Sequence, residues 1–393
     1  MSTYIKTIVL TATAACSVMA PYYPASAAGK GSTTSINNPA LARGSAFGAL
    51  DKVYTREEIL KAKPLQWTPA PAGDGRYQSN GAGFREEPPQ VKGRPKSALP
   101  GLPNPNADRD AKSEFADQWQ LLEEIDRMEK EGLLDEQPAG GTTTKNANFA
   151  SGVDFGTQNI YTGYRGNYWL NQQTAFPWKV VGKLLIDGGG YCTAQSITGA
   201  PKNIVVTAAH CVYDPGVGFK RGWTFVPAER FGAAPYGQFR WASARVLNAW
   251  MSSGGRRNDV AIIRLQNNSA GRPVSYYTGW LGWRQNYPYV RSLHSIGYAS
   301  NIATTWTSMC AAESFYASCE GTDVLVKGCN MTFGSSGGAW IDVYKPYEVA
   351  GYVESVVSGP SCAGSVGQTY VGARFSSANI GTLCSAEGGC TTP

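Results

Sequence analysis

Val205-Val206-Thr207-Ala208-Ala209-His210-Cys211 decides the reading: an apolar, β-branched run passes through small residues into a histidine followed by a cysteine. Runs of the same character recur from residue 151 onward, at Val180-Val181-Gly182-Lys183-Leu184-Leu185-Ile186, Val260-Ala261-Ile262-Ile263 and Glu348-Val349-Ala350-Gly351-Tyr352-Val353. They are short and separated by Gly, Pro, Asn and Ser, the signature of strands joined by turns. A turn at Ala208–Val212 is the one helical element expected among them. Strands without intervening helices predict an all-β sandwich or a pair of barrels. The sequence shows no internal repeat.

Two further stretches carry chemistry. In Asn258-Asp259-Val260-Ala261-Ile262-Ile263-Arg264-Leu265 an aspartate opens an apolar strand, which predicts a partly buried carboxylate. In Thr332-Phe333-Gly334-Ser335-Ser336-Gly337-Gly338 glycines flank a serine, leaving its hydroxyl accessible and letting backbone amides approach a substrate. Acyl transfer through a hydroxyl needs these three groups. Serine is a weak nucleophile and requires an adjacent base. Histidine takes and returns a proton near neutral pH. A buried carboxylate fixes the imidazole tautomer and stabilises the imidazolium. Backbone N–H groups beside the serine stabilise the oxyanion.

TAAHC, NDVAIIRL and GSSGG, in the order His, Asp, Ser, resemble the trypsin/chymotrypsin-like serine proteases. The stretch Cys329-Asn330-Met331-Thr332 through Ser336-Gly337-Gly338-Ala339-Trp340 resembles the secreted microbial, glutamyl-endopeptidase-like branch. The resemblance covers about Phe176 to Phe375. It implies two packed six-stranded antiparallel β-barrels, with His210 as base, Asp259 as orienter and Ser336 as nucleophile. Gly334 and Ser336 would form the oxyanion hole. It also implies a specificity pocket based near Asn330 and Met331 and a strand near Glu354, Ser355 and Val356. Ser355-Val356-Val357 resembles the segment that pairs with substrate backbone. Glu354 would favour a basic substrate residue if it faces the pocket; pointing to solvent is the equal alternative. Glu-specific members use a histidine on this strand, and neither histidine of this chain serves. The pattern departs at Ser335, where digestive members of the family carry an Asp that pairs with a freed N-terminus.

The nucleophile segment also satisfies G-x-S-x-G, the elbow of α/β-hydrolases. That fold needs its histidine after the serine, and no histidine follows Ser336. Of the chain's 2 His, His294 matches no motif and reads as structural, and the low count excludes a three-His metal site. The remaining alternatives are a catalytically silent binding homologue and an exported esterase.

The chain divides by charge. Residues 28–150 hold 16 basic and 17 acidic side chains, whereas 151–393 holds 18 and 12 over nearly twice the length. Only 16% of all residues are charged and 46 are Gly, which excludes a coiled coil, a helical array and a charged disordered polymer. The net charge of +6 comes without Lys/Arg blocks, against nucleic-acid binding. Lys6, the uncharged stretch Thr7–Ala20 and Ala25-Ser26-Ala27 read as a secretory signal peptide over 1–27, with a membrane anchor as the alternative. Residues 28–150 read as a propeptide. It is Pro-rich and weakly ordered alone, except for an amphipathic helix over about 112–132 in which Phe115, Trp119, Leu122 and Ile125 share a face. That face either covers a small subdomain of its own or lies on the following domain. Gly140-Gly141-Thr142-Thr143-Thr144 forms a joint, and residues 151–393 form the protease domain, with maturation by cleavage near 140–165.

With Cys16 removed alongside the signal, eight of the 9 Cys remain, all from residue 192 onward, an even number in an exported chain. The family bridges the equivalents of Cys192 and Cys211. A Cys329–Cys362 bridge would resemble the one beside its specificity pocket, leaving Cys310–Cys319 and Cys384–Cys390 as local loops; six cysteines allow fifteen connectivities. The expected product is a secreted, extracellular, monomeric protein without cofactor or metal. Its partners are protein or peptide substrates and its own propeptide, with no nucleic acid or membrane.

Overall fold

A computed structural model describes residues 32–42, 52–66, 87–134, 152–154, 159–165, 172–198, 203–345, 350–362 and 369–390. The signal peptide, Cys16, the 140–144 joint and most of the 140–165 cleavage window lie outside the described residues.

The β-branched runs close into two barrels. In the first, β1 (Val181–Ile186), β2 (Gly190–Ser196), β3 (Ile204–Thr207), β4 (Trp223–Pro227), β5 (Phe239–Leu247) and β6 (Ala261–Leu265) pair antiparallel in the ring β1-β2-β3-β6-β5-β4 and back to β1. In the second, β7 (Ser292–Gly297), β8 (Ser308–Phe315), β9 (Val324–Gly328), β10 (Ala339–Asp342), β11 (Tyr352–Pro360) and β12 (Thr369–Arg374) close in the equivalent ring β7-β8-β9-β12-β11-β10. The two six-stranded antiparallel barrels implied by the resemblance are therefore present, and they share one strand order without any sequence repeat. Closure removes the free strand edges that an open sheet would expose. The first core is centred on Trp223 and Trp241, whose rings meet edge-to-face at 4.9 Å. Each such buried aromatic contributes about 1.5–3 kcal/mol.

Helices are more numerous than expected after residue 151: Asn248–Ser253, Val274–Thr278 and Ile380–Ala386 join the expected turn at Ala209–Cys211. The last is capped by Asn379, whose Oδ1 accepts from Ile380 N, and it buries Ile380, Leu383 and Cys384. That i, i+3, i+4 spacing was a readable signal.

The N-terminal region docks along the barrels in pieces. Thr33–Asn37 pairs with β5 over five residues, Lys63–Pro64 runs beside β2, and Lys96–Ala98 pairs with the Gly282–Gln285 strand. The expected single helix is two, α1 (Ala107–Glu114) and α2 (Ala116–Lys130), broken at Phe115 (φ −128°, ψ 44°). The Phe115 ring turns out of the helix to meet Tyr277 edge-on at 6.0 Å. The apolar stripe lies on the following domain: Leu122 and Ile125 are buried against Ala233, and Trp119 Nε1 donates to Pro235 O at 2.8 Å.

Candidate active site

Strand register brings the first two motifs together. Thr207, the last residue of β3, pairs with Ala261, the first of β6, so the residues just beyond each sit at the same end of the barrel. There His210 Nδ1 lies 2.8 Å from Asp259 Oδ2, and the backbone N–H of His210 donates to Asp259 Oδ1 at 2.9 Å. From the second barrel, Ser358 Oγ on β11 donates to Asp259 Oδ2 at 2.5 Å. Burial by itself would raise the Asp259 carboxyl; the adjacent imidazole and these hydrogen bonds outweigh it and hold the group below its ordinary range. His210 Nε2 is buried and has no hydrogen-bond partner among the described residues.

Ser336 lies in the turn between β9 and β10, and its carbonyl oxygen is 3.9 Å from Cys211 Sγ, one residue from His210. The turn depends on glycine at two positions. Gly334 (φ +85°) and Gly337 (φ +81°) adopt left-handed backbone. A Cβ on Gly337 would fall 2.1 Å from Thr207 Oγ1, and one on Gly334 would fall 2.5 Å from Tyr298 O.

Thr193 on β2 ties this turn to the first barrel. Its N–H donates to Ser336 O at 2.8 Å and its Oγ1 donates to Gly334 O at 2.9 Å. The same Oγ1 accepts from Tyr298 N at 3.1 Å, while Thr193 O accepts from Thr207 Oγ1 at 2.8 Å. Neither Thr193 nor Ser358 was anticipated. Thr193 follows Cys192 in an ordinary strand, and its partners in the second barrel, Tyr298, Gly334 and Ser336, lie more than a hundred residues away, so spacing carries no signal. Asn301 was also missed: its Oδ1 accepts from Thr332 N at 2.9 Å and its Nδ2 donates to Asn330 O at 2.7 Å.

The remaining expected site residues fall as follows. Ser335 is buried with its hydroxyl on Thr332 O at 2.5 Å, so the position carries no charge. His294 stacks on Tyr344 at 4.6 Å, and burial, with Lys327 nearby, lowers it to about 4. Asn330 is partly exposed, whereas Met331 is core, clustered with Trp340 and Tyr370. Glu354 does not point to solvent. It is 3% exposed, with Arg284 and Arg291 each 3.6 Å away, and those two arginines bond Asp342. Burial, then Asp342, pushes it up to about 8 against the pull of the arginines, which Asp342 holds more closely.

The substrate-pairing segment also needs correcting. Ser355 pairs with Trp340 and Arg374, and Val356 with Ala339 and Ala373, while Val357 N and O bond Gly338 O and Gly337 N. Both edges are thus occupied. Past the irregularity between Val357 and Gly359, β11 pairs on one side only among the described residues, Gly359 with Val371 and Pro360 with Tyr370.

The disulfides are Cys192–Cys211 and Cys384–Cys390, as expected, with Cys310–Cys329 and Cys319–Cys362 in place of the expected Cys329–Cys362 and Cys310–Cys319. Cys310 begins an extended run along β8 to Phe315, at about 3.3 Å per residue, which carries the chain away before Cys319. The neighbouring strand β9 instead brings Cys329 to a Cα separation of 5.7 Å.

Among the described residues, two groups of donor side chains lie close enough to consider for a metal, Cys192/His210/Cys211 and Cys319/Glu320/Cys362. All four cysteines are in disulfides, so no thiolate is offered and neither group fits an ion. Among the described residues, no helix is long and apolar enough to cross a membrane.

No family model matches the chain. A curated relative, the extracellular metalloprotease of Bacillus subtilis (strain 168), is 28% identical over 135 residues, which is 34% of this chain and 40% of the relative's length. Among solved structures, the protease Anisep from Arthrobacter nicotinovorans is 28% identical with a TM-score of 0.48, over 55% of this chain and 97% of its own. The thermostable serine protease AL20 from an extremophilic microorganism is 23% identical with a TM-score of 0.48, over 53% of this chain and 97% of its own. A Glu endopeptidase is 16% identical with a TM-score of 0.48, over 57% of this chain and 96% of its own. In its two six-stranded antiparallel barrels the chain is similar to the chymotrypsin-like serine proteases.

Proposed function

We propose that the chain is a secreted serine endopeptidase, made as a precursor, that hydrolyses peptide bonds through Ser336, His210 and Asp259. The observation that carries this reading is the double contact of Asp259 with His210, through Nδ1 and the backbone N–H, beside the turn that holds Ser336. That contact fixes the ring with Nε2 as the free nitrogen. Ser336 Oγ adds to the substrate carbonyl as His210 Nε2 takes its proton. The Gly334 and Ser336 N–H groups stabilise the oxyanion. His210 then returns the proton to the leaving amine, and water repeats the sequence on the acyl-enzyme. The one-sided Ser358–Pro360 edge takes substrate backbone as an added strand. Residues 1–27 direct export, and cleavage falls between α2 and the first barrel.

A fluorophosphonate probe tests the chemistry. Labelling of the secreted protein that is lost in Ser336→Ala is expected; absence of Ser336-dependent labelling refutes the enzyme reading in favour of a binding homologue. Casein hydrolysis set against short-chain ester hydrolysis separates a protease from an esterase, and N-terminal sequencing of the secreted form reads the cleavage site. A single N-terminus near Ala28, with none in the 140–165 window, would overturn the precursor reading.

A further inference from the structure

The helix pair carries a charge pattern that the proposed chemistry does not use. Residues 107–131 contain nine carboxylates and four bases, whereas 151–393 carries 18 bases against 12 acids. The fold joins the two. Lys179 Nζ, buried, lies 3.0 Å from Asp108 Oδ1. Arg272 reaches Asp110 at 2.8 Å and Glu114 at 3.0 Å. The Arg230 side chain is 1% exposed, and its two Nη atoms bond Asp126 and Glu129. Tyr236, Tyr276 and Tyr277 donate their hydroxyls to Asp108, Asp110 and Glu114. Five of the nine carboxylates therefore point into one face. Among the described residues, Lys179 and Arg230 pair with no carboxylate from 172–390. Two buried cations of one region, Lys179 and Arg230, are thus neutralised by the other.

The location of these contacts matters as much as their number. Among the described residues, α1 and α2 bond to Lys179, to 230–236 and to 272–277, not to His210, Asp259 or the 332–338 turn. Docked there, the pair does not itself contact the three motif residues.

We propose that residues 32–134 are a permanent second chain of the mature protein. After cleavage, the segment stays docked on the Lys179/Arg230/Arg272 face as an acidic companion. This rests on the proposed cleavage between α2 and the first barrel. Departure would break the Arg230 ion pairs with Asp126 and Glu129 and the Lys179–Asp108 pair together, contacts that the docked helices shield from water. Departure would also strip Thr33–Asn37 from β5 and leave Leu122 and Ile125 uncovered.

The test inserts a site-specific protease sequence between Gly140 and Thr144 of the Ser336→Ala chain, so that no self-cleavage intervenes. The cut protein is run on gel filtration over a dilution series at about 0.1 M and about 1 M salt, where the screening length falls from about 10 to about 3 Å. Co-elution of both fragments at the lower salt is expected; separation or precipitation of either fragment there overturns the proposal. Asp126→Asn/Glu129→Gln is expected to raise the dissociation constant at least about 100-fold. Asp117→Asn/Glu123→Gln, exposed on the same helix with the same charge change, is expected to move it less than about threefold. Equal effects of the two pairs would overturn the assignment to Arg230. Should the first pair not fold, Glu129→Gln alone is titrated in the same way. Elution is read without Ser336 chemistry, and labelling of the cut wild-type chain reads that chemistry separately.

Discussion

Thr193→Val is the sharpest perturbation of the site that leaves its three motif residues in place. Valine keeps the side-chain shape and deletes one oxygen. The Thr193 N–H to Ser336 O bond survives because it is backbone, but Gly334 O and Tyr298 N each lose the partner that Oγ1 supplied. A buried backbone group left unpaired costs about 1–3 kcal/mol, so the two together should lower stability by about 2–5 kcal/mol, part of it recovered as the turn relaxes. The kinetic effect follows from where the relaxation occurs. Gly334 is held at φ +85° against Tyr191 and Tyr298, and a freed carbonyl lets the turn rotate about Gly334 itself, carrying that residue's own N–H, a proposed oxyanion donor, off target. Loss of one such donor costs about 100- to 1000-fold, so a partly populated rotation should lower kcat about 10- to 100-fold and move KM less than about threefold. Thr193→Ser keeps the hydroxyl and should stay within about threefold of wild type on both. The assay is steady-state hydrolysis of a peptide substrate with active sites titrated by fluorophosphonate, alongside thermal unfolding. If Thr193→Val loses stability but keeps wild-type kcat, the hydroxyl only braces the barrels. If Thr193→Ser is damaged as much as Val, the methyl packing is what matters. Either result refutes the argument.

Three further outcomes follow from the same geometry. Ser358→Ala removes a hydrogen bond to a carboxylate, worth about 1.5–3 kcal/mol, and should lower kcat roughly tenfold while the acid limb of its pH profile moves up; an unchanged profile counts against Ser358 as a support of Asp259. Gly337→Ala forces an L-residue into φ +81°, at about 1–2 kcal/mol, and drives its Cβ to 2.1 Å from Thr207 Oγ1, so its unfolding temperature should fall sharply; a wild-type midpoint would contradict the turn geometry. Glu354, pushed up to about 8 from 4.5, holds a proton in the folded state that the unfolded chain has released between those values. Stability should therefore decline as pH rises through that window, by at most about 1.4 kcal/mol per pH unit. Urea midpoints of Glu354→Gln should lose that slope, and a parallel slope in both proteins would show that other groups set it.

What the sequence made legible was local backbone demand, and what it hid was register. His210, Asp259 and Ser336 could be read because each sits where its neighbours must do something particular: small residues after β3, a polar opening to β6, glycines at positive φ around the serine. The meeting of His210 with Asp259 needed only that β3 and β6 be neighbours in the right sense. Ser358 went unread because it lies beside the irregularity between Val357 and Gly359, and a shift there changes which residues face inward and which edge stays open. The cysteines fail for the same reason. Cys310 and Cys329 meet through the pairing of β8 with β9, and no count of intervening residues contains that pairing. Glu354 looked like a candidate specificity charge because its compensating groups, Arg284, Arg291 and Asp342, come from three other segments that converge only in the closed barrel. The amphipathic stripe of residues 115–125 announced a partner surface but not its address, since the address is Ala233 and Arg230 in a loop with no periodicity of its own. Closing a six-stranded ring fixes every register at once. The residues that depend on closure are therefore the supporting ones, Thr193, Asn301 and Ser358, and their substitutions test the site most directly.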